Sequence, residues 1–291
     1  MFGVIIPVGP GDREIARLHQ LLAELAEHED RQDAFLAIAD DDPTPRTIDV
    51  DWPVVQVFRT EARERGGVLD AYGAMVASTL QGLRICRERG VDMVLKLDTD
   101  AAVIGPFAAK IRAAFRDDPK LGVVGSYDVT SAGGHRDWSV WASRLRRVDL
   151  PLRLVRAPRG RVSLRYKSRA DRDAVRRLVD AACRHAPQGA HCLGGAYAVS
   201  RTFLDGAELA SGRWLGTGLG EDVVVGILCS AVGLRMCSLV GRDQPFALAW
   251  RGLPASPSEL ARGGHSLVHS VKAETPEAER EIRAALRSAA G

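Results

Sequence analysis

Short apolar, β-branched runs that stop abruptly in polar turns recur through the first part of the chain, and a helical stretch follows nearly every one. FGVIIPV at residues 2–8 stops at a Pro/Gly turn, AFLAIA at residues 34–39 stops at DDDPTP, and residues 92–97 stop at DTD. Runs of this length, bounded by turn residues, predict buried strands. Further strands are expected at residues 54–58 and 121–126. Between them, residues 12–28 form an amphipathic helix that Asp12 is expected to cap. Residues 68–89 form a longer one, with Leu69, Tyr72, Val76, Leu80, Leu83 and Cys86 at helical spacing. Another helix starts at Pro106. Strands alternating with helices require a mostly parallel central sheet covered on both faces, a Rossmann-like α/β architecture. Ligands bind such sheets beyond the carboxyl ends of the strands. Polar residues gather there: PVGPGD after the first strand, DDDP after the second and DTD after the fourth.

The second half is less regular. A helix is expected near residues 170–185 and a glycine-hinged strand in HCLGGAYAVS. GEDVVVGILCSAV then forms a helix over residues 220–232, stopped by Gly233. A strand at 234–240 and an alanine-rich helical tail from Pro276 complete the pattern. At 291 residues and 46% hydrophobic, the chain can bury one large core. The longest apolar run, residues 223–234, holds two glycines and is shorter than the roughly 18 residues of a membrane span. The N-terminus lacks a basic leader, so a soluble, intracellular (cytoplasmic) protein is expected. The five cysteines form no CxxC pair and read as small buried apolar residues.

The net charge of +3 is uneven. Residues 131–190 carry 15 Arg and Lys against 5 Asp, a local +10 that leaves −7 for the rest. This segment either grips an anionic or lipid-linked acceptor, rests on an anionic membrane surface at its inner face, or is a solvated insertion. Nucleic acid fits poorly, because aromatic residues are few and no reader motif is present.

VLKLDTDAAVIG, residues 94–105, sharpens the question of function. In an extended chain Asp98 and Asp100 point to the same face, and two like charges held close need a cation or a proton between them. A divalent metal bridging a phosphorylated ligand meets that need, since hard oxygen ligands suit Mg²⁺ or Mn²⁺. A solvated turn with a capping aspartate is the plain alternative.

With these motifs in order, the chain resembles the nucleotide-sugar-dependent glycosyltransferases of GT-A fold, family 2 and the related family 31-like enzymes. PVGPGD, the strand ending in Asp40–Asp42, RERGGVLDAYGAM, KLDTDAAV, GGAYAVS, GLGEDVVVG and HSLVHSVK follow the order of that family across residues 1 to about 272. The resemblance implies a GT-A domain with a nucleotide-sugar-binding half at residues 1–105, an acceptor-binding and catalytic half at 106–272, and a C-terminal helical tail at 273–291. It implies that Pro7 and Gly9 shape the nucleotide pocket and that Asp40 or Asp41 accepts a hydrogen bond from the base, with a UDP-linked donor expected. Arg63, Arg65 and Gly67 would lie near the donor phosphates, or the arginines form a solvated face. Asp98 and Asp100 would bind metal and ribose or diphosphate, with His269 or His265 as a further ligand that favours Mn²⁺ over Mg²⁺. Gly194 and Gly195 would let the backbone approach the donor sugar. Trp214 would stack on a sugar ring or belong to the core. Asp222 is the candidate general base and Glu221 its neighbour on the acceptor or sugar. An inverting transferase follows from this assignment. A retaining transferase, a sugar-phosphate nucleotidyltransferase and a non-catalytic carbohydrate-binding domain are the competing readings.

Overall fold

The structure, a computed structural model, describes residues 1–61, 71–146, 152–156, 162–166 and 168–290. Arg63, Arg65 and Gly67 lie outside the described residues. The first half runs β1 (Phe2–Val8), α1 (Asp12–His28), β2 (Ala34–Asp40), β3 (Val55–Phe58), α2 (Ala71–Arg89), β4 (Met93–Leu97), β5 (Ala102–Val103), α3 (Ala108–Asp117) and β6 (Leu121–Gly125). The second runs α4 (Ser139–Leu145), β7 (Leu152–Arg156), β8 (Val162–Tyr166), α5 (Arg169–Ala182), β9 (Ala196–Ser200), α6 (Arg201–Gly206), a 3₁₀ turn (Gly212–Trp214) and α7 (Glu221–Ala231). It ends with β10 (Arg235–Ser238), β11 (Phe246–Leu248), α8 (Pro257–Arg262), β12 (Leu267–His269) and α9 (Pro276–Ala290).

Seven strands form the central sheet in the spatial order β10-β6-β9-β4-β1-β2-β3. Every neighbouring pair is parallel except those of β9, which runs antiparallel to both β4 and β6. The expected mostly parallel, Rossmann-like α/β sheet is therefore present. Side chains alternate between its faces along each strand, as the two-residue period of a strand demands. On β1, Phe2, Val4, Ile6 and Val8 join a core with Leu18, Leu21 and Leu25 of α1, while Ile5 joins the opposite core with Leu80 and Leu83 of α2. Both faces are covered, which explains why the strands read as continuous apolar runs.

Successive strands build outward from β1 in one direction through β2 and β3. β4 then returns to the other side of β1, so the order reverses between β1 and β4. A crevice opens beyond the carboxyl ends of the strands at such a reversal. It lies next to the turn that follows β4, where the DTD sequence sits.

Two local expectations need correction. Asp12 does not cap α1: the N-cap is Gly11, whose φ of 97° puts it in the left-handed region, and no side chain caps the helix. Asp12 is the first helical residue, where an acid still favours the helix dipole. The cysteines also divide, since Cys86, Cys192 and Cys229 are buried but Cys183 is exposed and Cys237 is intermediate. A second, three-stranded sheet in the order β11-β12-β5 escapes the sequence reading, because its strands are only two or three residues long. No helix among the described residues is long and apolar enough to cross a membrane.

Candidate active site

β4 delivers its end to the crevice, and the chain then turns instead of continuing as a strand. Asp98 O accepts from Ala101 N at 3.0 Å, and Asp98 N donates to Gly195 O at 3.0 Å. Asp98 and Asp100 therefore converge through a turn, not through the extended geometry that the sequence suggests. Thr99 between them is buried and donates from its hydroxyl to Glu14 of α1. Asp100 O accepts from Val271 N at 2.9 Å, which ties this turn to the segment after β12.

β12 supplies His269. Its Nε2 lies 3.3 Å from Asp100 Oδ1 and 3.8 Å from Asp98 Oδ2. Its Nδ1 is 2.8 Å from Ala249 O. A carbonyl only accepts, so Nδ1 carries a proton, and Nε2 faces the two carboxylates, where it donates to Asp100 when protonated and would offer its lone pair to a metal ion when neutral. One donor atom from each of Asp98, Asp100 and His269 lies within 4.8 Å of the others. The second oxygens are already engaged: Ser270 Oγ donates to Asp100 Oδ2 at 2.8 Å, and Lys96 Nζ donates to Asp98 Oδ1 at 2.5 Å. Two hard oxygens and an imidazole nitrogen, each oriented from behind, fit a divalent ion of the Mn²⁺ or Mg²⁺ kind.

The electrostatics agree with three groups competing for positive charge. Burial pushes the Asp98 carboxyl up to about 6, opposed by Lys96 and reinforced by Asp100. Asp100 moves the other way. Burial raises it, but hydrogen bonding and charge from His269, with Ser270, hold it well below the usual carboxylate range. Burial alone would lower His269, and Asp100 and Asp98 together hold it above its ordinary value.

Lys96 connects this cluster to the other candidate carboxylates. Its side chain is 1% exposed, and its ammonium reaches Asp98 Oδ1, Gly194 O at 2.5 Å and Glu221 Oε1 at 3.0 Å. Three N–H groups meet three acceptors, so a buried cation is fully satisfied. Glu221 and Asp222 are the first two residues of α7, with Gly220 as N-cap. Asp222 Oδ1 accepts from Val223 N at 2.8 Å. Its Oδ2 is 3.6 Å from His191 Nε2. His191 Nδ1 is 2.7 Å from Gly189 O, and Arg136 Nη2 is 3.0 Å from His191 Nε2. The His191 ring is thus neutral, with Nδ1–H donating and Nε2 accepting from Arg136; burial, then Arg136, lowers it to about 4. Burial raises both Asp222 and Glu221, against Lys96 in each case.

These groups share one cleft of about 1020 Å³, whose lining includes Asp98, Asp100, His269, Gly194, Gly195, Glu221 and Asp222. The two glycines are there because neighbouring side chains leave no room. A Cβ at Gly195 would meet the His269 ring at 2.3 Å, and one at Gly194 would meet Glu221 Oε1 at 2.8 Å. What approaches these glycines is the protein's own histidine and glutamate.

Other residues picked from sequence lie elsewhere. Trp214 is 1% exposed and packs in the core with Leu219 and Val223, so it offers no face to a ligand. His265 is outside the Asp–Asp–His cluster: its Nδ1 faces Gln244 O at 3.0 Å, and the side chain lines a separate surface hollow with Arg242 and Arg262. Asp40 is buried with both oxygens engaged, Oδ1 by Arg46 Nε at 2.8 Å and Oδ2 by Arg59 Nη1 at 2.7 Å. Arg46 also donates to Gly9 O at 2.7 Å, so this carboxylate holds the loops after β1 and β2 together. Pro7 is buried within β1, and Asp41 is half-buried, with its N–H on Val8 O at 3.0 Å. Sequence reasoning missed Lys96, Arg136, His191 and Ser270. Only Lys96 carried a signal, as a charge inside an otherwise apolar strand.

No family model matches the chain, and no curated protein matches it. Among solved structures, TarS residues 1–349 from S. aureus, in complex with UDP-GlcNAc, matches with 14% identity and a TM-score of 0.43. The match covers 98% of this chain and 71% of that one. At this distance the likeness assigns neither family nor ligand.

Proposed function

We propose that the chain is an inverting, metal-dependent glycosyltransferase that moves a sugar from a nucleotide sugar, UDP-linked in the favoured case, to an acceptor hydroxyl. The observation that supports it is the meeting of two unlike carboxylate sets in one cleft. One set, Asp98 and Asp100 with His269, has the donor chemistry of a divalent-metal site; the other, Asp222 at the head of α7, lines the same cleft with only Oδ1 taken by the backbone of its own helix.

Asp98, Asp100 and His269 would hold Mn²⁺ or Mg²⁺, and an ion there supplies positive charge to a departing nucleotide diphosphate. Asp222 is the base. Its Oδ1 is anchored by Val223 N–H, which leaves Oδ2 to take the proton of the acceptor hydroxyl. Burial moves its pKa toward working pH, as an efficient base requires, against the dipole of α7, which favours the ionised form. Glu221 is tied to Lys96 and serves chiefly to position that ammonium beside Asp98. With one base and no covalent nucleophile, the sugar carbon is attacked once and its configuration inverts.

The test is a panel of nucleotide sugars with Mn²⁺, reading nucleotide release, thermal stabilisation and the anomer of the product. The expected result is metal-dependent stabilisation by one nucleotide and an inverted product. Asp222→Asn should lower turnover by roughly 10²–10⁴-fold with donor binding unchanged. A protein that no nucleotide stabilises in the presence of metal is not this enzyme, and a variant with normal turnover removes Asp222 as the base.

A further inference from the structure

Four cations line the cleft, Arg136, Arg144, Arg251 and Lys272, and among the described residues none has a carboxylate within ion-pairing distance. Lys272 belongs to the metal end, where its charge acts on Asp100. Arg136 and Arg144 belong to the base end. Arg136 is spent on the protein itself: its Nη1 donates to Ser126 O at 2.5 Å and His191 O at 2.7 Å, and its Nη2 to His191 Nε2, the ring atom 3.6 Å from Asp222 Oδ2, so it lends charge to this end but no open fork. Trp141 of α4 packs edge-on against His191, with ring centroids 5.6 Å apart, and against Tyr72 of α2 at 6.4 Å. The Arg144 guanidinium lies over both aromatic rings, 4.6 Å from the Trp141 centroid and 5.6 Å from that of Tyr72. Among the described residues, its hydrogen-bond acceptor is the Tyr72 hydroxyl at a long 3.4 Å.

A guanidinium held over an aromatic ring keeps its charge and several N–H groups available to an oxyanion. A hydroxyl of an uncharged acceptor can accept from one N–H but brings no opposing charge, whereas a phosphate takes both N–H groups of a fork and pairs with the charge. Val140 and Tyr72, at 59% and 42% exposed, add apolar surface to the same wall. Of the three readings of the basic composition of residues 131–190, the grip on an anionic group is the one that these side chains favour.

We propose that the acceptor carries a phosphate, as monoester or diester, near the hydroxyl that is glycosylated, and that Arg144 receives it against the Trp141–Tyr72 wall. The word acceptor rests on the glycosyltransferase reading; the anion subsite does not.

The probe is inorganic phosphate, titrated into the full chain with and without UDP and Mg²⁺ and followed by ³¹P NMR. Wild type is expected to bind it in both states. Arg144→Gln should weaken phosphate roughly tenfold while leaving metal-dependent UDP binding unchanged, and Arg144→Lys, which keeps the charge but not the fork, should fall between. Arg116→Gln, on an exposed residue of α3 beside Asp117, should change neither. Absent binding in wild type, or equal binding in Arg144→Gln, overturns the proposal. Phosphate binding without any UDP binding sinks the glycosyltransferase reading and leaves the subsite standing. Vesicles of phosphatidylcholine with phosphatidic acid separate the sources. Sedimentation that depends on Arg144 places the phosphate on a lipid, and phosphate binding without sedimentation places it on a soluble sugar.

Discussion

At the scale of single residues, Lys96 organises the site more than any group found from its motifs. Burial would lower its pKa, and the charges of Asp98 and Glu221 overcome that and hold the ammonium above its ordinary value. Two carboxylates from segments far apart in sequence are therefore held together by one buried cation. Removing that cation leaves buried negative charge unpaired, a change that costs about 3–5 kcal/mol. Lys96→Met, close in length and apolar, should lose about this much in urea unfolding at neutral pH. A loss below about 1 kcal/mol would mean that Asp98 and Glu221 are satisfied without it. The lysine stood in plain view within VLKLDTD, yet motif reading stopped at the acids, because a charge in a buried strand has meaning only once its partners from distant segments are known. Gly194 and Gly195 teach the same lesson. Their need to be small was legible, but the reason, room for Glu221 and His269, lies in side chains more than 25 residues away in sequence.

Among elements, β1, β2 and β4 were legible because every residue in them is buried, which writes a continuous apolar run, and α1 because its buried leucines recur at helical spacing. β5, β11 and β12 were not, since strands of two or three residues leave no period to detect, although β12 is what carries His269 to the aspartates. Helix α9 was legible as a helix but not as a partner. Its Glu279 is buried between Arg17 and Arg13 of α1, receiving Arg17 Nε at 3.0 Å, Arg13 Nη2 at 2.7 Å and Ala273 N at 3.1 Å. Burial alone would raise its carboxyl, but these donors bring it down to about 2 from an ordinary 4.5. A folded-state pKa below the unfolded value gives stability that is present above the unfolded pKa and is lost as pH falls through the folded one. The contribution should thus be complete above about pH 5 and fade between about 4.5 and 2. Denaturant unfolding of wild type and Glu279→Gln should differ most at neutral pH and converge near pH 2. A difference that stays constant with pH would show that packing, and not ionisation, holds this helix.

For the molecule as a whole, these links make residues 276–290 part of the site and not a tail appended to it. Arg283, buried in α9, donates to Thr99 O at 3.1 Å and Ala101 O at 2.8 Å, the two carbonyls that flank Asp100. Its other nitrogen meets Glu24 Oε2 of α1 at 2.7 Å, and the same oxygen accepts from Val103 N of β5. Leu286 packs with Ala102, Val268 and Val271, so the helix also seals the small sheet that holds His269. The DTD turn is thus clamped by β4 from one side and by α9 from the other. Two changes separate positioning from mere stability. Arg283→Met keeps the apolar stem of the side chain but releases both carbonyls and Glu24; it should weaken Mn²⁺ binding roughly tenfold or more, as loss of groups that orient metal ligands does, in protein that still unfolds cooperatively. A chain ending at Glu274 exposes Arg17 and Glu24 together with the small sheet, and should lose metal-dependent nucleotide stabilisation altogether along with much of its thermal stability. Full-strength Mn²⁺ binding in both would show that the turn keeps its shape from β4 alone.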